Sequence, residues 1–248
     1  MTAGARLEHV AFERHGRIAT LTLNRPDRRN SLSDPLLQDL ITALTELRDD
    51  ASSRVVILSG ADPVFSAGAD APGINAAMSP EERRRVFGAR KTRFRRLFER
   101  VTTLLEDLEQ VTIAAVSGHA VGGGWGLTLA CDFRIASEEA QFWIPEVDLG
   151  VPLGVASTTR FVRLVGEALA KEIILGGRRY SAAEARAMGL VHQVVPRAEL
   201  AKAAREYALM LAAKPWEPLA KVKANINAIA RAGTPVVLAQ TEGFLPRE

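Results

Sequence analysis

Two β-patterned runs, RIATLTLN at 17–24 and RVVILSG at 54–60, flank an amphipathic stretch, SDPLLQDLITALTELRDD, with Ser33 or Asp34 as its cap and Pro35 just inside. A helix between two strands forces a crossover, so the strands pair in parallel and the connection is right-handed. The pattern repeats: VTIAAVSG at 111–118 predicts a third strand, and DFRIAS with AQFW continues the β pattern. Past residue 155 the chain turns helical. SAAEARAMGL carries a capping box, Ser181 to Glu184, and a closing Gly189, while two later stretches are amphipathic. The expected class is α/β, with a C-terminal helical third that covers the sheet or a neighbouring subunit.

The third strand runs into glycines: AVSGHAVGGGWGLTLACDF, residues 114–132. A strand there becomes a helix near Gly122 or Gly123, where the first backbone N–H groups lack internal partners and the helix dipole is positive. Glycines let a ligand approach that backbone closely, so a negatively charged guest is expected. No Lys-Ser or Lys-Thr follows the glycines and the G-x-G-x-x-G spacing is absent, which leaves an oxyanion as the better guest. A second turn, ADPVFSAGAD at 61–70, follows another strand and is placed to offer a second N–H. Two such donors stabilise charge on a carbonyl oxygen, each contributing about 3–4 kcal/mol to a barrier. On glycine content alone, two tight turns of an α/β sheet are the favoured explanation of both stretches.

Composition narrows the classes. The chain has 248 residues, 47% of them hydrophobic, enough for one buried core with a helical appendage. No apolar run reaches a bilayer-spanning length and the first residues carry charges where a signal peptide needs an apolar stretch, so a cytoplasmic location is expected. The single cysteine, Cys131, rules out an internal disulfide and reads as a buried thiol. No His, Cys and acidic cluster has metal-ligand spacing, and no nucleophile elbow appears. The net charge of +3 is concentrated in EERRRVFGARKTRFRRLFER, residues 81–100, a helix with Phe94, Leu97, Phe98, Val101, Leu104, Leu105 and Leu108 on one face. The arginines opposite read as a solvated face, with phosphate binding as the alternative.

NRPDRRNSLS, FSAGAD, AAVSGHAVGGGWGLTLACDFRIAS, AQFWIPEVDLGVPLG and RLVGEALAKEIILGGRRYSAAEARAMGLVHQVVP stand in an order and spacing that resemble the enoyl-CoA hydratase/isomerase (crotonase) family over about residues 10–230. The resemblance implies a spiral of ββα units over residues 1–190 and a C-terminal α-helical trimerisation region over 191–248. It also implies a homotrimer or dimer of trimers acting on acyl-CoA thioesters. Coenzyme A would be part of the substrate, with no separate cofactor, no metal, no membrane and no nucleic acid.

Residue by residue, the resemblance implies that the N–H groups of Ala69 and Gly123 hold the thioester carbonyl and that Glu146 is an acid/base. Loop residues Ala67 and Asp70, with Gly122, would contact the substrate. Asp70 reads as a structural carboxylate that accepts turn N–H bonds. Hydratases of this family use a second glutamate where this chain has Gly126. One carboxylate still moves a proton between two carbons of an enolisable thioester, so double-bond isomerisation is expected, with hydratase activity, silent acyl-CoA binding or RNA binding as alternatives. Trp125 and Trp143 flank the key positions; with volume vacated by Gly126 they either shape a wider acyl pocket or serve as apolar packing.

Overall fold

The computed structural model describes residues 7–70 and 78–232, without the side chains of residues 80 and 83–91. The arginines between 83 and 90 therefore lie outside the described side chains, and the C-terminal segment past 232 lies outside the described residues.

An antiparallel hairpin, β1 (Val10–His15) and β2 (Ile18–Leu23), begins the chain. The sequence reading found β2 but not β1, whose exposed outer half lacks a clean apolar alternation. Ser33 then caps α1 (Asp34–Arg48), its hydroxyl accepting from the Leu36 N–H. β3 (Val55–Gly60) returns parallel to β2, and α2 (Pro80–Asp107) leads to β4 (Val111–Val116), parallel to β3.

From there the chain alternates between two sheets. β5 (His119–Val121), β7 (Gln141–Trp143) and β8 (Tyr180–Ser181) form the smaller one. β6 (Phe133–Ser137) and β9 (Gln193–Val195) extend the larger one to the order β1-β2-β3-β4-β6-β9, parallel from β2 onward. The helices α3 (Gly123–Thr128), α4 (Val155–Gly176, broken at Gly166) and α5 (Ala182–Ala187) lie between these strands. The expected capping box of Ser181 and Glu184 is formed at α5.

Period-two alternation divides the larger sheet between two cores. Ala19, Leu21, Leu23, Val56, Leu58, Ala114 and Val116 face α1 and α2. Ile18, Val55, Ile57, Ile113 and Ile135 face the other way, onto Leu200, Ala204, Ala208 and Leu211 of α6 (Leu200–Ala212). α7 (Trp216–Arg231) is held by polar contacts: Lys223 meets Asp132 at 2.8 Å and the Gln110 carbonyl at 2.7 Å. Its Val222, Ile226 and Ile229 stay exposed, the last by 76%. No helix among the described residues is long and apolar enough to cross a membrane.

Candidate active site

Parallel pairing of β5 with β7 sets Ala120 beside Phe142 and Val121 beside Trp143, so the segments that follow both strands leave the sheet at the same edge. The Gly122 N–H donates to the Trp143 carbonyl at 2.9 Å and ties them together one residue further on. Gly122 has φ +51° and ψ −117°, a conformation open to glycine and strained for other residues. α3 starts at the next residue, and the Gly123 N–H, at the first helical position, donates to no described residue.

The loop at 64–70 is laid against this junction. Ser66 is bridged to Ala120, with the Ser66 N–H donating to the His119 carbonyl and the Val121 N–H donating to the Ser66 carbonyl. Leu32 and Ala69 form a second bridge: the Leu32 N–H donates to the Gly68 carbonyl and the Asp70 N–H to the Leu32 carbonyl. In a parallel bridge of this kind the intervening N–H points the other way. The Ala69 N–H accordingly has no acceptor among the described residues, and a Cβ on Gly123 would stand 3.9 Å from its nitrogen. Gly68, at φ +86°, permits the approach, since a Cβ there would be 2.6 Å from the Val121 carbonyl oxygen.

Asn30 fastens that loop from below. It is fully buried at φ +51°, and its side-chain amide donates to the carbonyls of Ala61 at 2.6 Å and Val64 at 2.8 Å while its Oδ1 accepts from the Arg25 N–H. Ser66 Oγ in turn donates to the Asn30 carbonyl. The Arg25 guanidinium reaches Asp70 at 3.0 Å.

Glu146 enters from the turn after β7, where the Leu149 N–H donates to the Pro145 carbonyl. Its carboxyl packs directly on Gly122 and its Oε2 is buried with no hydrogen-bond partner among the described residues. Burial pushes its pKa up from 4.5 to about 7. A cavity of about 260 Å³ opens onto this carboxyl and the two free N–H groups, with Leu32, Phe94, Phe98 and Leu153 among its apolar walls. Three further carboxylates border the cavity, and each has an arginine: Asp34 with Arg93, Asp70 with Arg25, Glu99 with Arg95. Glu146 alone of the four faces no cation among the described residues. A neutral-range carboxyl and two inward N–H donors in an apolar cleft can transfer a proton next to a carbonyl whose charge is held.

The family model for enoyl-CoA hydratase/isomerase matches residues 13–245. The chain belongs to the enoyl-CoA hydratase/isomerase family. It is similar to a short-chain-enoyl-CoA hydratase of Clostridium acetobutylicum, 39% identical over 203 residues, 82% of this chain and 74% of the relative. It is also similar to a crotonyl-CoA hydratase of Syntrophomonas wolfei, 38% identical over 78% of this chain and 71% of that one. The crystal structure of an enoyl-CoA hydratase from Bacillus anthracis superposes with TM-score 0.80 at 35% identity, over 95% of this chain and 89% of the other. That of a monofunctional enoyl-CoA isomerase from Mycobacterium smegmatis gives 0.75 at 32% identity, over 92% and 96%. The fold is thus the crotonase fold.

Of the residues singled out from the family pattern, Ala67, Ala69, Asp70, Gly122, Gly123 and Glu146 all border the cavity. Asp70 is paired with Arg25, whose guanidinium is anchored beside it on the Ser31 carbonyl. Three expectations need correction. Trp125 is fully buried among Phe142, Phe161 and Tyr180, on the core side of α3, and contributes nothing to the cavity wall. Trp143 lies outside the cavity too, stacked under the Arg179 guanidinium at 4.5 Å and beside His119. Gly126 leaves no vacant volume: Ser157 from α4 is packed onto it.

Asp148 lies against Gly177, away from the cavity. His119 is held neutral by its half-burial and by Arg29 and Arg179 nearby. Burial raises the Cys131 thiol to about 12, an inert core group. Among the described residues no group of three or more metal-ligating side chains is assembled. Sequence reasoning missed Asn30, Phe98 and Ser157 as parts of the site. The Asn in the double-arginine turn NRPDRRNS was a readable sign, since Asn tolerates the left-handed region; nothing local marked Ser157.

Proposed function

We propose that the chain is an acyl-CoA enzyme that moves a double bond through a thioester enolate, using Glu146 as its single acid/base. The observation that carries this reading is the Glu146 carboxyl: buried beside Gly122, unpaired with any described cation and poised near neutrality. As base, it takes a proton from the α-carbon of a 3-enoyl thioester. The electron pair shifts through the thioester carbonyl onto oxygen, where the Ala69 and Gly123 N–H groups hold the negative charge. The same carboxylic acid then returns the proton at the γ-carbon, leaving the double bond conjugated with the carbonyl. No water and no separate cofactor takes part; coenzyme A enters with the substrate.

The relatives named as hydratases favour a second reading, addition of water to a 2-enoyl thioester. Water addition needs a group besides Glu146 to orient the nucleophile, and position 126 supplies none. Turnover of 3-enoyl-CoA and 2-enoyl-CoA by the wild type and Glu146→Gln separates the two. Conversion of 3-enoyl-CoA that Glu146→Gln abolishes supports isomerisation; hydration of 2-enoyl-CoA without isomerisation overturns it. The same reading includes a cytoplasmic homotrimer or dimer of trimers, for which the uncovered row Val222, Ile226 and Ile229 on α7 is the supporting surface.

A further inference from the structure

Gly126 lies in the first turn of α3, its N–H donating at 2.9 Å to the carbonyl of Gly122, the residue just before the helix. A side chain from elsewhere is seated on each of these two glycines. Glu146 packs against Gly122, and Ser157 packs against Gly126 so closely that a Cβ there would overlap Ser157 Oγ and stand 2.8 Å from Ser157 Cβ.

Ser157 is fixed where it stands. It lies in the first turn of α4, its N–H donating to the Gly154 carbonyl at 3.1 Å, and it is only 2% exposed. It borders the cavity. Phe98 closes the other side, its Cζ 3.5 Å from where a residue-126 Cβ would be.

A carboxylate carried at 126 would leave α3 between Ser157 and Phe98, both of which border the cavity that Glu146 borders, and would complete the pair of carboxylates that water addition calls for. Ser157 blocks that path at its root. We propose that Ser157 sets the reaction specificity of this site: it fills the place of a residue-126 side chain and so restricts the site to one carboxylate. The inference rests on the enolate reading above. It also makes a distinct claim, that two positions and not one must change together to convert the site. Alanine at 157 is insufficient, because its Cβ would still be 2.8 Å from a Cβ at 126.

The test uses Gly126→Glu, Ser157→Gly and the double variant of the full chain, with crotonyl-CoA hydration as the readout. The double variant is expected to hydrate crotonyl-CoA at least about 100-fold faster than either single variant, the lower range for one positioned acid/base group. Equal hydration by Gly126→Glu alone overturns the proposal, as does a double variant that binds crotonyl-CoA and gains nothing. Gly126→Ala, alone and with Ser157→Gly, keeps the proposal testable if the glutamate prevents folding. The expected result is a lowered melting temperature for Gly126→Ala that Ser157→Gly restores; additive shifts show that the two positions are uncoupled and overturn the proposal. Failure of the enolate reading is separately visible as wild-type inactivity on 3-enoyl-CoA, which leaves the melting cycle unchanged.

Discussion

The Glu146 carboxyl occupies the space that a side chain on Gly122 would take: a Cβ there would overlap Oε1 and lie 3.0 Å from the carboxyl carbon and 3.2 Å from Oε2. The glycine therefore does more than turn the chain into α3. It makes room for the Glu146 carboxyl beside the N–H that follows it.

Gly122→Ala should then damage the enzyme in two ways. The φ of +51° strains any residue with a Cβ, and that Cβ must push the carboxyl aside. A misplacement of about 1 Å costs on the order of 100-fold in rate. Steady-state kinetics on 3-enoyl-CoA is expected to show kcat reduced by at least about that factor, with KM changed less. Retained kcat in a folded Gly122→Ala enzyme would show that Glu146 does not act from this position.

The raised pKa of Glu146 gives a signed pH dependence. As the base it must be ionised, so kcat/KM for isomerisation should rise with pH through about 7 and level off above. Stability runs the opposite way. The folded pKa of about 7 exceeds the ordinary 4.5, so the contribution is intact below about 4.5 and is lost as pH rises through about 7. Glu146→Gln removes this titration. It is expected to exceed the wild type in unfolding free energy at pH 8 by on the order of 3 kcal/mol, a gap that closes as pH falls to 4. Urea denaturation at the two pH values measures the difference; a constant gap would refute the assignment.

The strands β2, β3, β4, β6 and β7 and the glycine junction were legible because each rests on local pattern: apolar runs, caps and glycines at the right spacing. The family pattern carried Ala69, Gly123 and Glu146, which the folded chain gathers around one cavity. Trp125 stayed open between pocket wall and packing because sequence adjacency to Gly126 says nothing of which side of α3 a ring occupies; the core claims it through Phe142, Phe161 and Tyr180. Ser157 was invisible for the converse reason. Its role comes from contact with a glycine 31 positions earlier, and a missing side chain leaves no trace of what fills its place.

Asn30 should prove as costly to lose as a core residue. It makes two side-chain bonds to the carbonyls of Ala61 and Val64, accepts one from the Arg25 N–H and holds a left-handed backbone. Asn30→Ala strands these groups in the interior, at about 1–3 kcal/mol each, and adds backbone strain. Asn30→Gly keeps the backbone and removes only the bonds. Both variants should melt earlier than the wild type, alanine the more so, and both should lower kcat because the loop that carries the Ala69 N–H loses its support. An Asn30→Gly enzyme with wild-type melting and kcat would show the loop to be held by its backbone bridges alone.

Glu106 near the end of α2 gathers three arginines: Arg160 at 2.8 Å, Arg231 at 2.9 Å and Arg163 at 3.3 Å. Arg160 is nearly buried, three residues after Ser157 on α4, and its Nε has no partner among the described residues. Removing the carboxylate by Glu106→Ala leaves that guanidinium buried and uncompensated, which typically costs about 3–5 kcal/mol. Arg160→Met removes the buried cation instead and leaves Glu106 with two better-exposed arginines, so its cost should be clearly smaller. Denaturant unfolding of the two variants tests this order. The same loss should reach the active site, because Arg160 anchors the first turns of α4, where its Nη1 also donates to the Ala156 carbonyl. Glu106→Ala is therefore expected to raise KM for the acyl-CoA, although residue 106 lies outside the cavity wall. Equal destabilisation by both variants would mean that the pair contributes through packing and not through compensation of a buried charge.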